Sequence, residues 1–61
     1  MKFKLLIEQD SVHILLPHCN SSLEAFIDIY VDDGTNDSIF ENVEDAKLFA
    51  EIVIKLLEHI G

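Results

Sequence analysis

The sequence contains no arginine, and its four lysines stand against twelve aspartates and glutamates, which gives a formal net charge of −8. Proteins that bind nucleic-acid phosphates use lysine and arginine to displace counterions, so this composition excludes nucleic acid as a direct ligand. It also disfavours binding to anionic membrane surfaces. A partner guided to this chain by electrostatics is therefore a basic protein. Acidity also keeps small proteins soluble, and composition alone leaves both explanations open.

Cysteine is equally scarce, because Cys19 is the single one in the chain. One cysteine excludes an internal disulfide, and a structural zinc site is not expected without cysteine pairs. The first ten residues carry two lysines and an apolar run that is too short for a signal peptide or a membrane span. We therefore predict a cytoplasmic, intracellular protein, made either in its own cell or in a host cell.

The chain is also short, and 61 residues lie near the lower limit at which a single core supports folding. We predict one domain spanning residues 1–61. Apolar residues make up 49% of the sequence, which is too many for a disordered chain. Without disulfides or a metal, oligomerisation is the remaining common source of stability for so small a domain. Length and composition together favour a homodimer.

Alternation of apolar and polar residues predicts three β-strands. Residues 2–8 and 12–16 alternate and are separated by a short polar turn, which is typical of an antiparallel hairpin. Residues 23–32 continue the alternation after a second polar connection. The side chains expected to point towards the core are Phe3, Leu5, Ile7, Val12, Ile14, Leu16, Ala25, Ile27, Ile29 and Val31.

The last third of the chain predicts one helix that ends before Gly61. Asn42 suits the N-cap, with Asp45 three positions later and acids in the first turn. Residues 39–40 either form a brief fourth strand or pack over one end of the core. The predicted fold is α+β in the order β-β-β-α, a three-stranded or four-stranded antiparallel sheet with the helix on one face. The expected core stripe of the helix is Ala46, Phe49, Ala50, Val53, Leu56, Leu57 and Ile60.

The sequence contains more apolar side chains than this small core can bury. Some lie on the outer face of the sheet, where a solvated face would carry polar residues. On the helix, Leu48 and Ile52 widen the apolar arc on one side and Ile54 on the other. Adjacent exposed apolar residues mark interaction surfaces. We predict self-association through the sheet face, the helix flank or an edge strand, with Leu6, Leu15, Phe26, Tyr30, Leu48 and Ile52 in the contact.

Acids and aromatics alternate on the outer side of the third predicted strand, and no lysine or arginine lies between Cys19 and Ala46. Residues two apart on one strand face lie about 6.6–6.8 Å apart, so this stretch would present a ladder of negative charge. We predict a non-enzymatic protein-binding module, an inhibitor that docks on a basic, nucleic-acid-handling protein and blocks its groove. In this logic it resembles small phage-type inhibitors that imitate DNA, although no motif assigns it to such a family. The predicted docking residues are Glu24, Phe26, Asp28, Tyr30, Asp32, Asp33 and Asp37.

Metal binding and catalysis find little support in the sequence. Residues 33–44 place oxygen ligands at several positions of a calcium-binding EF-hand loop, but Ser38 stands where that loop needs glycine. The histidines and Cys19 show no zinc-ligand spacing. No base and orienting partner can be placed for Cys19 as a nucleophile. We therefore predict no metal, no cofactor and no catalytic residues.

The first seventeen residues, MKFKLLIEQD followed by a second strand and Pro17, resemble the opening of HicB-type antitoxins. Those are small acidic proteins that pair with basic RNA-cleaving toxins. The Gly-rich turns expected after the second strand are missing, and the third strand is longer and more apolar, so the resemblance does not assign the family. It implies one alternative function, an antitoxin-like neutralising partner. Another alternative is a structural or assembly subunit of a homo-oligomer, with acidity serving solubility.

Overall fold

The computed structural model describes residues 2–31 and 39–60. Three strands form one antiparallel sheet in the order β1-β2-β3, and a single helix follows, so the predicted α+β fold is confirmed. Within the described part of the chain, no helix is long and apolar enough to cross a membrane. The elements are β1 Lys4–Ile7, β2 Ser11–Leu15, a 3-10 turn Ser22–Glu24, β3 Ile27–Tyr30 and α1 Val43–Ile60.

The strand register decides which side chains share a face. In the row across the middle of the sheet, Leu6 pairs with His13 and His13 pairs with Asp28. Side chains alternate between faces along each strand, so these three lie on the outer face, away from α1. The neighbouring row lies on the inner face, under the helix, as the alternation predicted. It consists of Leu5, Ile14 and Ile27.

The helix covers the inner face with its smallest residues. Ala46 and Ala50 are completely buried, as are Val12 and Ile14 of the central strand β2. Since alanine carries no bulk beyond Cβ, it allows a helix backbone to approach the sheet closely. Larger, partly buried side chains close the core around this contact, and they are Phe3, Leu5, Ile27, Phe40, Val43, Val53 and Ile54.

The helix begins as predicted. Asn42 Oδ1 accepts a hydrogen bond of 2.9 Å from the Asp45 backbone N–H, and Asn42 Nδ2 donates to Asp45 Oδ2 at 3.2 Å. The first N–H groups of a helix have no partner within the helix, so this reciprocal pair satisfies one of them and fixes the entry of the chain.

The predicted start of the third strand, at residue 23, is wrong. Residues Ser22–Glu24 form a 3-10 turn, and the Ser21 hydroxyl oxygen accepts a hydrogen bond from the Leu23 N–H at 3.2 Å. Serine side chains offer the backbone local partners that compete with a sheet ladder. The strand therefore starts at Ile27, and Glu24 and Ala25 do not lie on the sheet.

The limits of the first two strands and part of the helix stripe also differ from the prediction. β1 is shorter at both ends, and β2 is shifted by one residue towards the N-terminus. Phe49, Leu56 and Ile60 are exposed, while Ile54 packs on the core. The close contact through two alanines centres the helix over β2, and a three-stranded sheet is too narrow to cover the wider stripe.

Residues 39–40 do not form a fourth strand. Phe40 makes an isolated parallel bridge with Val31, and its ring lies 5.2 Å from that of Phe49. This segment therefore packs over the side of the core next to β3, which was the second of the two predicted arrangements.

Candidate functional site

The centre of the outer sheet face is a buried polar cluster around His13, which is 4% exposed. His13 Nδ1 lies 2.6 Å from Asp28 Oδ1, and Nε2 lies 2.8 Å from Glu8 Oε1. The Ser11 hydroxyl is 2.9 Å from the same Nε2. Because Asp28 belongs to β3 and Glu8 follows β1, the imidazole on β2 connects all three strands.

Both ring nitrogens of His13 have polar partners. Nδ1 is hydrogen-bonded to Asp28 Oδ1, and Nε2 is hydrogen-bonded to the Ser11 hydroxyl, with the Glu8 carboxylate beside the same nitrogen. These contacts satisfy the buried ring. Among the described residues, no buried side-chain nitrogen or oxygen lacks a hydrogen-bond partner.

Ser11, His13 and Asp28 have the atom connectivity of a nucleophile, a base and an orienting carboxylate. Two observations speak against catalysis by this arrangement. Ser11 is 4% exposed, so a substrate could not approach its hydroxyl without opening the sheet. Glu8 also contacts the nitrogen that would have to accept the serine proton. The cluster is better suited to holding the strands together.

Strand alternation alone places His13 and Asp28 on the same face of the sheet, but it does not predict a contact between them. The contact depends on the register between β2 and β3. That register could not be derived from the sequence, because the third strand was predicted to start four residues too early. Ser11 was assigned to the hairpin turn. One sequence feature could have indicated this contact: a histidine and an acid occupy the same face of two adjacent strands.

Acidic side chains gather at one end of the molecule, which we call the acidic pole. The Val31 N–H donates to the Asp10 carbonyl oxygen at 2.9 Å, and Val31 also bridges Phe40. These contacts bring the β1–β2 loop, the end of β3 and the start of α1 together. The exposed acids carried by these elements are Glu8, Asp10, Glu41, Glu44 and Asp45.

Three of the four lysines lie away from the acidic pole, and the fourth, Lys47, is three residues after Glu44 on α1. Lys4 is at the far end of β1, where its Nζ donates to Asn20 Oδ1 at 3.0 Å, and Lys2 precedes it. Lys47 and Lys55 project from α1 beyond its first turn. The acids Glu44 and Asp45 also interact favourably with the positive end of the helix dipole, so the acidic pole stabilises the fold that carries it.

The structure separates the predicted docking residues. Glu24 lies in the 3-10 turn, and the ring of Phe26 lies 5.7 Å from that of Phe3, outside β3. Asp28 is on the outer face as predicted, but its carboxylate contacts His13. The described docking residues therefore do not form the continuous ladder expected along the strand.

Among the described docking residues, Tyr30 is the last residue of β3 and precedes Val31. It is 56% exposed, and its ring meets that of His13 edge-on at 6.2 Å. The remaining three predicted docking residues lie outside the described part of the chain. Val31 and Ile39, which bound their segment, are both at the acidic pole through the bridge to Phe40. Those three residues are Asp32, Asp33 and Asp37.

The predicted self-association residues fall into two groups. Leu15 is 3% exposed and Leu6 is half-buried, so the chain itself covers the expected apolar patch in the middle of the sheet face. The exposed members lie at the margins of the sheet or on α1, and they are Phe26, Tyr30, Leu48 and Ile52.

Two open grooves run along the sides of the sheet. The groove beside β3 has a volume of about 320 Å³ and is lined by apolar side chains, with Asp28 as its one charged residue. The groove beside β1 has a volume of about 530 Å³, and charged residues contribute to its lining. Ile39, Phe40 and Phe49 line the first groove. Glu51, Lys55 and Glu58 line the second.

In the described residues, no group of three or more histidine, cysteine, aspartate or glutamate side chains could hold a metal ion. Cys19 is buried and unpaired. Comparisons with protein-family models, with curated proteins and with solved structures find no match to this chain.

Proposed function

We propose that this protein is a non-enzymatic binding module whose acidic pole docks on a basic, nucleic-acid-handling protein and excludes nucleic acid from its groove. The observation that carries the proposal is the uneven distribution of charge, with five exposed acids at one end and three of the four lysines elsewhere. Carboxylates held on a hairpin loop and a helix terminus present negative charge in a fixed arrangement, which steers a basic partner and sets its orientation.

Tyr30 is the proposed anchor of this contact. Aromatic residues carry much of the binding energy at protein interfaces, and this ring is exposed next to the acidic pole. The Asp28 carboxylate is hydrogen-bonded to His13, so it is less available to a partner than the sequence suggested. The acids of the undescribed segment, Asp32, Asp33 and Asp37, remain part of the proposed docking charge.

Burial of Ser11 and His13 supports a binding role over an enzymatic one. An antitoxin-like activity would be one form of the same proposal, in which the basic partner is a toxin. A purely structural subunit is the alternative, and the exposed apolar residues of α1 favour it.

To test the proposal, the intact protein is immobilised and used to capture basic proteins from a nuclease-treated lysate. Each captured protein is then purified. Fluorescence anisotropy then measures whether the chain displaces a labelled DNA or RNA duplex from that protein. We expect displacement that weakens as salt is raised. Asp10→Asn with Glu41→Gln should weaken binding by about tenfold, because both charges lie at the acidic pole.

The matched control is Glu51→Gln with Glu58→Gln, which changes the net charge by the same amount beside the β1 groove. This control should bind like the unaltered chain. Equal weakening by both variants would show non-specific charge attraction and contradict docking through the acidic pole. Capture of a basic protein without displacement of nucleic acid would contradict the blocking mechanism.

A further inference from the structure

One side of α1 carries a row of large apolar side chains that stay exposed. Leu48, Ile52 and Leu56 are 59%, 58% and 59% exposed. They follow one another at intervals of four residues, so they lie along the same side of the helix. Ala46 and Ala50 face the sheet, and the row therefore points away from it. Adjacent exposed apolar residues on a helix mark an interaction surface.

The exposed row extends far beyond the start of α1. The segment of the chain that is not described joins Val31 to Ile39, which lie at the acidic pole beside the first turn of the helix. Ile52 and Leu56 lie about 14 and 20 Å along α1 from Val43, because each helical residue adds about 1.5 Å. The centre of the row is therefore well separated from the acidic pole.

A polar residue stands at each end of the row. Asp45 precedes Leu48 by three positions, His59 follows Leu56 by three, and both polar residues are exposed. We call these residues the α1 stripe, which consists of Asp45, Leu48, Ile52, Leu56 and His59. Its spacing is the same when read from either end, with Ile52 at the centre. An identical stripe that runs in the opposite direction would therefore match it position by position.

We propose that the α1 stripe binds the α1 stripe of a second copy of this chain, with the two helices antiparallel and a two-fold axis at Ile52. Ile52 then packs on its counterpart, and Leu48 packs on Leu56 of the other copy. Each sheet lies on the far side of its own helix. The dimer is therefore layered in the order sheet, helix, helix, sheet, and the two sheets do not meet.

Charge selects the antiparallel direction. Each copy carries a net charge of −8, and the acidic pole includes the start of α1. A parallel pair would bring the two acidic poles together, which like-charge repulsion disfavours. In the antiparallel pair, the two helix starts lie about 27 Å apart, since α1 has 18 residues. The opposed helix dipoles also attract each other.

The ends of the stripe are complementary to each other. The two-fold axis places His59 of each copy opposite Asp45 of the other, and an imidazole N–H donates to a carboxylate whether or not the ring is charged. A carboxylate accepts several hydrogen bonds, so the contact from Asn42 to Asp45 Oδ2 does not prevent this one. Beside the axis, Lys55 of each copy lies near Glu51 of the other, because both residues occupy the same flank of the stripe.

Sedimentation equilibrium over a concentration series at two salt concentrations tests the proposal. We expect a dimer whose dissociation constant falls as NaCl is raised from about 0.05 to 0.5 M, since screening weakens the repulsion between two acidic copies. Docking of the acidic pole on a basic protein should weaken over the same range, so the two interactions are distinguishable. A protein that is monomeric at about 1 mM at both salt concentrations would overturn the proposal.

A substitution at the centre of the stripe tests the surface. Ile52→Glu should raise the dissociation constant at least about tenfold, because it places two like charges in an apolar contact. Ile52 is more than half exposed in one copy, so the change leaves the core intact, which circular dichroism checks. Ile52→Leu should dimerise like the unaltered chain. Lys2→Gln makes the same change in net charge outside the stripe and should do the same. A dimer that tolerates Ile52→Glu would overturn the proposal.

Isotope-filtered NMR on a mixed labelled and unlabelled sample tests the direction of the helices without any substitution. Leu48 and Leu56 lie about 12 Å apart along one helix, so contacts between their methyl groups come from the other copy. We expect these contacts, together with one between the two copies of Ile52. A contact of Leu48 with its own counterpart would show a parallel pair and overturn the proposal. A dimer without contacts from these three residues would also overturn it.

Discussion

At the scale of single residues, His13 makes polar contacts with side chains from both neighbouring segments of the sheet. Its Nδ1 lies 2.6 Å from Asp28 Oδ1 and its Nε2 lies 2.8 Å from Glu8 Oε1, so a carboxylate lies beside each ring nitrogen. Both carboxylates remain partly exposed, so water screens each pair and the gain from each is modest. Their combined effect is to join β1, β2 and β3 on the face that α1 leaves uncovered.

We expect Asp28→Asn to reduce the free energy of unfolding by about 1–2 kcal/mol, because a charge-assisted hydrogen bond to His13 becomes a neutral one. Urea denaturation followed by circular dichroism measures this change. In a His13→Leu background the same substitution should cost almost nothing. Equal costs in the two backgrounds would show that Asp28 stabilises the fold by another route.

At the scale of secondary-structure elements, local signals define the helix start better than the strand start. The Asn42–Asp45 pair marks the first turn of α1 through contacts within four residues. The third strand begins only after the turn at Ser21–Leu23. The alternation of apolar and polar residues continues through that turn without interruption. A period-two pattern therefore identified the element but could not locate its beginning.

Replacing Asn42 by alanine should lower the free energy of unfolding by about 1 kcal/mol, because the Asp45 N–H loses its acceptor. Asn42→Ser retains an oxygen that can cap the helix and should lie within about 0.5 kcal/mol of the original chain. Urea midpoints at a constant m-value report both changes. If the serine variant is as unstable as the alanine variant, capping is not the source of the effect.

At the scale of the whole molecule, net charge and apolar surface compete. Charges of one sign crowd a small domain and destabilise its compact state. The acidic pole concentrates that repulsion, although the helix dipole offsets part of it. Exposed apolar side chains, among them Leu48 and Ile52 of α1, lie outside the acidic pole.

Stability should therefore increase with ionic strength. Between about 0.01 and 0.5 M NaCl, screening shortens the Debye length from about 30 Å to a few ångströms and should raise the thermal midpoint. Gln9→Lys with Glu24→Lys makes the net charge less negative outside the helix, so this variant should respond less to salt. A thermal midpoint that is independent of salt in both proteins would argue that charge repulsion is not significant.

Much of the fold could be predicted because alternation and helical periodicity are local properties. They identified three strands, one helix, the inner face and the N-cap. They did not show that Ala46 and Ala50 would centre the helix over β2, which left Phe49 and Leu56 exposed. The exposure of these residues depends on the width of the sheet, which cannot be read from the sequence of any single segment.

The sequence by itself determined the order β-β-β-α, the excess of acids and the surplus of apolar residues, because composition and periodicity fix these directly. Tertiary structure decided where the surplus lies. Register placed His13 between Asp28 and Glu8, and the bridge from Val31 to Phe40 gathered the acids at one end. These arrangements arise from contacts between residues far apart in the chain, whose pairing depends on the packed sheet and helix together.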